Sequence, residues 1–202
     1  MKTPRYRRRK EDRPKEIVAA AFAEFAEHGY AATKVEDVAA RAGVSKGLTY
    51  LYFKTKEDLF RAVIRNVVGE RLDALIDVVE QEQLSGEAFL RGPMLDFMKR
   101  VPDSPIPVVI QLLLAEGGRH PDLVKYYFDN IVAKGLQAIR RFVARGVARG
   151  EFRVTAVNEL PQLFLAPVVL AMIWRLLFPE RTLDTDKLME AQLEMILAWI
   201  KV

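Results

Sequence analysis

Residues 33–53, TKVEDVAARAGVSKGLTYLYF, decide the fold, because two short helical patterns flank a glycine within them. Val35 and Val38 supply an apolar face to the first pattern, and Gly43 can relieve a sharp turn. The second pattern runs over 45–53. This spacing predicts a helix-turn-helix, although a pair of short amphipathic helices inside a bundle would show the same periodicity.

The second of these helices begins with small, polar and basic residues, which is where a helix-turn-helix faces DNA bases and phosphates. Ser45 can cap the helix, Lys46 can contact phosphate or guanine, and Gly47 allows close backbone approach. Thr33–Glu36 and Thr55–Asp58 have the spacing of capping boxes for the helices on either side. The candidate DNA-contacting residues are Thr33, Lys34, Ser45, Lys46, Gly47, Leu48, Tyr50, Tyr52 and Lys56.

Positive charge is concentrated at the amino terminus. The chain has a net charge of +4, but the first 15 residues hold eight basic and two acidic side chains, which leaves 23 basic and 25 acidic residues elsewhere. A local basic patch indicates a polyanionic partner, and a solvated tail is the alternative. We expect residues 1–12 to form a disordered arm, in which a run such as Arg7-Arg8-Arg9 could enter a minor groove.

The remaining chain has helical periodicity from Lys15 onward and no alternating strand pattern. Pro14 is expected at the first position of the first helix, and Gly29 just past its end. Gly92-Pro93 should kink a helix over about 87–100, and one further helix is expected over about 157–178. The predicted fold is all-α, with about nine helices: a three-helix head and a larger helical domain.

Residues 15–60 resemble the DNA-binding domain of the TetR family of transcriptional regulators. The resemblance rests on IVAAAFAEFAEHGYAATKVEDVAARAGVSKG, residues 17–47, and YLYFKTKEDLF, residues 50–60. It implies that Lys46 and the next two residues touch bases. It further implies that Thr33, Lys34, Tyr50, Tyr52 and Lys56 touch the DNA backbone.

One departure from the family pattern concerns Leu48 and Thr49, because relatives carry Thr-Leu where this chain carries Leu-Thr. If the helix keeps its register, Leu48 faces DNA, where it can touch a thymine methyl, and Thr49 lies against the core. A small shift of the helix would instead return Leu48 to the core. The first alternative predicts that Leu48→Ser weakens binding most at operators with thymine at the contacted step.

The family resemblance predicts residues 13–60 as the DNA-binding domain and 61–202 as an effector-binding and dimerisation domain. The last helix is apolar nearly all round from Met195 on, and the preceding segment is apolar from Leu163 to Phe178. A second copy is the natural cover for such faces, burial within the monomer being the alternative. The predicted homodimer interface comprises Leu170, Trp174, Leu193, Ile196, Trp199 and Ile200, and its symmetry predicts a palindromic operator.

The family resemblance also implies that the larger domain holds a small-molecule effector whose binding releases the DNA. Candidate pocket residues are Phe89, Met94, Phe97, Met98, Gln111, Tyr126, Tyr127 and Trp174. Apolar walls with a few polar groups suit a hydrophobic or aromatic ligand, although each residue could simply belong to the core. Arg175 could hold an anionic ligand or pair within the protein.

Several classes of protein are disfavoured. The chain has no cysteine and two histidines, and Gly117-Gly118 breaks the helix face that Glu116 and His120, four residues apart, would share as a metal pair. We therefore expect no catalytic residue, no metal and no cofactor. No apolar run is long enough to span a bilayer, so we expect a cytoplasmic protein without a membrane partner. The alternative to an effector-released repressor is a DNA-binding protein of the same fold that has no small-molecule effector.

Overall fold

The structure, a computed structural model, describes residues 5–80 and 84–202. Within these ranges the chain forms nine continuous helical stretches, and its only β-type contact is an isolated bridge between Phe152 and Lys201. The predicted all-α fold is therefore confirmed. No helix within the described ranges is both long and apolar enough to cross a bilayer.

The first helix, α1 (Arg5–Ala32), begins earlier than expected. Pro14 lies inside it and not at its first position, and residues 5–12 are helical where we expected a disordered arm. These residues are mostly arginine, lysine and glutamate, which are good helix formers, so the helix extends upstream of the proline. Residues 1–4 of the expected arm lie outside the described residues. Gly29 has a φ of 77° and interrupts the helical geometry, as expected.

The helix-turn-helix consists of α2 (Val35–Arg41) and α3 (Lys46–Tyr52), and α4 (Lys56–Ile64) follows. Gly43 has a φ of 64° in the turn, which confirms the need for glycine there. Thr55 caps α4 with Asp58 as predicted: the Asp58 amide donates to Thr55 Oγ1 at 3.0 Å, and the Thr55 amide donates to Asp58 Oδ2 at 3.2 Å. Helix α4 continues through a π-helical turn (Arg65–Gly69) into α5 (Glu70–Glu80).

Two irregular segments of the later chain, Leu90–Met94 and Pro161–Phe164, contain a proline, which removes a backbone donor. A π-helical turn at Leu90–Met94 contains Pro93, at the position of the predicted kink. The helix expected over 157–178 is wrong in its first half, where the chain makes two short 3₁₀ turns, Ala156–Asn158 and Pro161–Phe164. The remaining helices are α6 (Gly86–Phe89), α7 (Leu95–Arg100), α8 (Ile106–Glu116), α9 (Pro121–Tyr127), α10 (Ala133–Ala148), α11 (Ala166–Leu177) and α12 (Thr185–Ile200).

The chain divides into two compact units. The first contains the described residues up to Val68 together with Val108–Tyr127, and the second contains those of Gly69–Pro107 and Phe128–Val202. The first unit packs the rings of Phe25, Tyr30 and Phe60 pairwise, with centroids 5.3 to 5.5 Å apart. These rings hold α4 against α1, and α1 also packs on α2.

The core of the second unit centres on Phe142, whose ring centroid lies 4.9 Å from that of Phe89 and 5.7 Å from that of Phe152. Phe152 packs against two glycines, and a Cβ added at Gly146 would lie 2.1 Å from its ring, one added at Gly86 2.3 Å. Both positions therefore require glycine, because any side chain there would displace the buried phenylalanine.

Candidate nucleic-acid interface

Helix α3 is oriented by its cap and by one buried threonine. Ser45 Oγ accepts a hydrogen bond from the Leu48 amide at 3.2 Å, which confirms the predicted N-cap. Thr49 is 0% exposed, and its hydroxyl faces the Ser45 carbonyl oxygen at 3.5 Å. The cap fixes where α3 begins, and Thr49 fixes which face packs on the first unit.

The position of Thr49 decides between the two alternatives for Leu48. Thr49 lies in the core, and Leu48 is only half-buried. The helix therefore keeps its register, and the alternative of a shift that returns Leu48 to the core is wrong. Whether Leu48 touches a thymine methyl stays a prediction.

Lys46 is exposed at the start of α3, but an acid holds it. Its Nζ lies 2.5 Å from Glu36 Oε1 and 5.9 Å from the centroid of the Tyr50 ring. The hydrogen bond to Lys46 lowers the pKa of Glu36, and the same bond raises the pKa of Lys46. A DNA phosphate must therefore compete with Glu36 for the ammonium group.

The rest of the outer surface of α3 is open. Gly47 is exposed, and a Cβ added there would meet nothing within 4 Å, so the protein's own packing does not require glycine. Leu51, four residues later and therefore on the same face, is 64% exposed. Leu51 is not among the DNA-contacting residues predicted from the sequence, although its four-residue spacing from Gly47 indicates the same face. Tyr50 and Tyr52 are half-buried at the sides of the helix.

Lys56 does not have the free ammonium group that phosphate binding would need. Its Nζ donates to the carbonyl oxygens of Tyr30, Ala31 and Thr33 at 2.8, 3.1 and 3.1 Å, and it lies 4.5 Å from the centroid of the Tyr30 ring. An ammonium group has three hydrogens, so all of its donors are used. In this structure Lys56 closes the carboxyl end of α1.

Thr33 is also occupied inside the protein. It is buried, and its hydroxyl faces the carbonyl oxygens of Gly29 and Glu24 at 2.8 and 3.1 Å. The predicted Thr33–Glu36 capping box is wrong, because α2 is capped one residue later. Lys34 is the N-cap, its backbone amide donates to Asp37 Oδ2 at 3.3 Å, and the residue is exposed.

An ion-pair cluster joins α1 to α2. Arg41 Nε donates to Glu24 Oε1 at 2.6 Å, and its terminal nitrogens bind both oxygens of Glu27. Glu24 is buried, so Arg41 supplies the partner that a buried carboxylate requires. The hydrogen bond to Arg41 lowers the pKa of Glu27. The side chains of the basic arm, residues 1–12, lie outside the described part of the chain.

The predicted pocket residues fall in both units. In the second unit, Phe89, Met94 and Met98 are buried on one helical stretch, and Phe97 is half-buried beside them. Trp174 is half-buried, and its indole N–H donates to the Arg181 carbonyl oxygen at 3.1 Å.

In the first unit, Gln111 is exposed on α8, whereas Tyr126 and Tyr127 are half-buried on α9. A terminal nitrogen of Arg65 donates to the Tyr126 hydroxyl at 3.4 Å, and burial raises the pKa of Tyr127 to about 12. Their role as pocket residues stays a prediction.

The predicted interface residues separate into two groups. Leu193, Ile196 and Ile200 are buried in the protomer's own core, so their side chains are not available to a second copy, contrary to expectation. Leu170 and Trp199 are 47% and 45% exposed on α11 and α12. Periodicity could not separate these groups, because a helix that is apolar on all sides does not indicate which side faces the monomer core.

Arg175 pairs within the second unit. One guanidinium nitrogen lies 2.5 Å from Asp103 Oδ1 and donates to the Pro102 carbonyl oxygen at 2.6 Å. The alternative of an internal pair is therefore the one found. Among the described residues, no group of three histidine or acidic side chains is arranged to hold a metal ion.

Two family models match the chain. The model described as bacterial regulatory proteins, tetR family, matches residues 17–63. The model described as the C-terminal domain of AefR-like transcriptional repressors matches residues 89–199, more than half of the chain. The two matches together cover the helix-turn-helix and most of the second unit.

Individual relatives agree with the family models. The chain is 28% identical over 139 residues to the fatty acid metabolism regulator protein of Bacillus subtilis, an alignment that covers 64% of this chain and 72% of that protein. A TetR-family transcriptional regulator from Mesorhizobium loti has a similar fold, with a TM-score of 0.81 at 22% identity, covering 96% of this chain and 99% of that one. FadR from Bacillus subtilis, solved with stearoyl-CoA, superposes with a TM-score of 0.74 at 22% identity, covering 91% and 97% of the two chains.

Proposed function

Because this chain belongs to the TetR family of bacterial regulatory proteins, we propose that it is a dimeric transcriptional repressor and that a hydrophobic small molecule releases it from DNA. The observation that carries the proposal is the outer face of α3. Lys46, Gly47 and Leu51 are exposed there, while the Ser45 cap and the buried Thr49 fix the orientation of the helix.

This face fits the major groove of duplex DNA. The amino-terminal residues of such a helix meet base edges, so Lys46 would bond phosphate or guanine, and Leu48 and Leu51 would contact thymine methyl groups or sugars. Tyr50 and Tyr52 would flank the helix and bond the phosphate backbone, and exposed Lys34 would do so from the start of α2. Thr33 and Lys56 support the surface from behind, since their polar groups are bonded to carbonyl oxygens of the protein.

Dimerisation would use the outer faces of α11 and α12. Leu170, Ile173 and Leu177 on α11 are exposed and spaced by three or four residues, and Met195 and Trp199 on α12 are exposed and spaced by four. Such spacing gives two apolar stripes on the surface of the protomer. A monomer rarely leaves stripes of this kind in water, and a second copy would bury them. Two copies related by a two-fold axis would place two α3 helices on a palindromic operator.

The effector would be hydrophobic. Phe89, Met94 and Met98 form a buried apolar surface on one helical stretch of the second unit, and flexible methionines adapt to apolar ligands. The Bacillus subtilis relative is a regulator of fatty acid metabolism, and a protein of the same fold binds stearoyl-CoA. We therefore choose a long-chain acyl-CoA as the first effector to test. Release follows if the effector binds the DNA-incompetent state more tightly than the competent one.

The test is retention of sheared DNA from the source genome on the immobilised full-length protein at about 150 mM salt, the physiological range. We expect a few fragments to be strongly enriched and then eluted by stearoyl-CoA but not by free CoA. Enriched fragments that no acyl-CoA elutes would favour a DNA-binding protein without this class of effector. Absence of enrichment over bulk DNA would contradict the repressor function itself.

A further inference from the structure

The outermost residues of α3 carry no side-chain group that can form a hydrogen bond. Thr49 marks the inner side of the helix, because it is buried. Successive residues of an α-helix are about 100° apart, so Gly47 and Leu51 each lie about 160° around the helix from Thr49. Gly47 is exposed, Leu51 is 64% exposed, and Leu48 is half-buried three residues before Leu51. We call Gly47, Leu48 and Leu51 the apolar face of α3.

The polar groups nearest this face are used elsewhere or lie at its edge. The Thr49 hydroxyl faces the Ser45 carbonyl oxygen at 3.5 Å inside the protein, and Ser45 Oγ accepts a hydrogen bond from the Leu48 amide. Lys46 is the first residue of α3, and its Nζ lies 2.5 Å from Glu36 Oε1. Reading a base edge by hydrogen bonds requires a donor or an acceptor. The apolar face therefore distinguishes bases by shape and apolar contact alone.

Gly47 gives this face room for close approach to a partner. A Cβ added at Gly47 would meet nothing within 4 Å, so no packing inside the protein requires glycine there. The residue also has helical backbone geometry, in which glycine is a poorer helix former than alanine. Since neither the packing nor the backbone requires glycine, its presence fits a partner surface that comes into van der Waals contact with α3.

The major groove offers one apolar group at a base edge, the C5 methyl of thymine, and 5-methylcytosine carries the same group at the same position. We propose that α3 reads DNA through C5 methyl groups, with Leu51 as a specificity-determining residue and Leu48 beside it. The protein then distinguishes thymine from uracil and 5-methylcytosine from cytosine. This inference rests on the proposed DNA-binding function and adds the chemical group that the apolar face recognises. Contact with sugars would bury the same side chains without any dependence on base methyls.

The first test removes base methyls one at a time. Each thymine of an operator duplex recovered by selection is replaced by deoxyuridine, which lacks only the methyl, and binding of the full-length protein is measured by fluorescence anisotropy. We expect at least one position in each half-site at which the replacement weakens binding about 4-fold, the value for one buried methyl-sized group. Replacing both symmetric positions should weaken binding about 16-fold.

The outcomes of this scan separate the inference from the function on which it rests. A specifically bound operator whose affinity no deoxyuridine changes would overturn the inference and leave the proposed DNA-binding function standing. If selection recovers no specifically bound duplex, both are overturned.

The second test asks whether Leu51 reads the methyl. Leu51→Ala should weaken binding of the thymine duplex and leave binding of the deoxyuridine duplex nearly unchanged, so the ratio of the two affinities should fall from about 4 toward 1. Leu114→Ala is the matched control and should keep the ratio, because Leu114 is also 64% exposed but lies on α8. A ratio that is unchanged in both Leu51→Ala and Leu48→Ala would overturn the assignment of methyl recognition to this face.

The third test adds a methyl. At a thymine identified by the first test, the base pair is replaced by cytosine with guanine, and the cytosine either carries a C5 methyl or lacks it. We expect the wild type to bind the methylated duplex about 4-fold more tightly, and Leu51→Ala to lose most of this difference. Equal affinity of the wild type for the two duplexes, or tighter binding of the unmethylated one, would contradict recognition of C5 methyl groups.

Discussion

Glu36 and Lys46 form an ion pair on the proposed DNA-facing surface. One isosteric substitution can test how the negative charge of Glu36 affects DNA binding. Lys46 Nζ lies 2.5 Å from Glu36 Oε1, and both side chains are exposed. On DNA, Lys46 must leave this carboxylate to reach a phosphate, and the carboxylate stays close to the phosphate backbone. Glu36→Gln keeps the shape of the side chain and removes the negative charge, so it should strengthen binding at low salt.

The expected magnitude appears in the salt dependence. Each phosphate that a protein neutralises on duplex DNA contributes about −0.9 to the slope of log K against log salt. The Glu36 carboxylate offsets the charge of Lys46 at the DNA surface, so removing it in each of two protomers should steepen the slope by up to about 1.8. With a slope change of this size, raising the salt from 50 to 200 mM should lower the DNA affinity of Glu36→Gln by about 12-fold more than that of the wild type.

The assay is fluorescence anisotropy with a labelled operator duplex, titrated at several salt concentrations between 50 and 200 mM. Glu80→Gln is the control, because Glu80 Oε1 forms an equally exposed pair with Arg141 at 2.7 Å in the second unit. That substitution changes net charge by the same amount. It should leave the slope close to that of the wild type.

Two results would refute the reasoning. An unchanged slope in Glu36→Gln would mean that Glu36 does not offset the charge of Lys46 on DNA. A loss of affinity at low salt would mean that Glu36 positions Lys46 for DNA and does not compete with it.

Three further substitutions test the supports of the interface and the core. Lys56→Met should lower the free energy of unfolding by about 1.5–3 kcal/mol in urea titrations, because three carbonyl oxygens lose a charged donor. If the substitution instead reduces the salt slope of DNA binding, Lys56 is a phosphate ligand. Gly146→Ala should lower it by about 1–3 kcal/mol, since its Cβ would meet the Phe152 ring at 2.1 Å, and an unchanged value would contradict that packing. Arg41 lowers the pKa of Glu27 from 4.5, so their pairing stabilises the fold above that pH and is lost as pH falls through the lowered value. Arg41→Gln should therefore lose less stability than the wild type between pH 7 and pH 3, and equal losses would exclude the pair as the cause.

The sequence predicted the fold because its strongest signals are local. Helical periodicity, the Ser45 cap and the Gly43 turn each depend on residues a few positions apart, and each is confirmed. The unusual Leu48-Thr49 order was recognised from the sequence, but its outcome depended on packing against the rest of the first unit. The structure decided it by burying Thr49.

The errors concern residues whose partners are distant or chemically ambiguous. Thr33 and Lys56 match a DNA-binding motif, and only the structure shows that carbonyl oxygens at the end of α1 take their donors. Lys56 and its acceptors are separated by 23 to 26 residues, a distance over which a sequence pattern carries no geometric information. Likewise, the apolar α12 contains both core and surface residues, and its sequence pattern does not separate Ile196, which is buried, from Trp199, which is exposed.

The most direct test of the central claim is a selection of binding sites from random duplex DNA with the purified full-length protein at physiological salt. The account predicts one palindromic motif whose half-sites lie about one helical turn, or a multiple of it, apart, because a two-fold dimer presents two α3 helices. It also predicts that removing the Lys46 charge by Lys46→Gln weakens recovery of that motif. Recovery of no motif, with binding that disappears as salt rises, would contradict specific recognition by α3 and leave only electrostatic attraction to DNA.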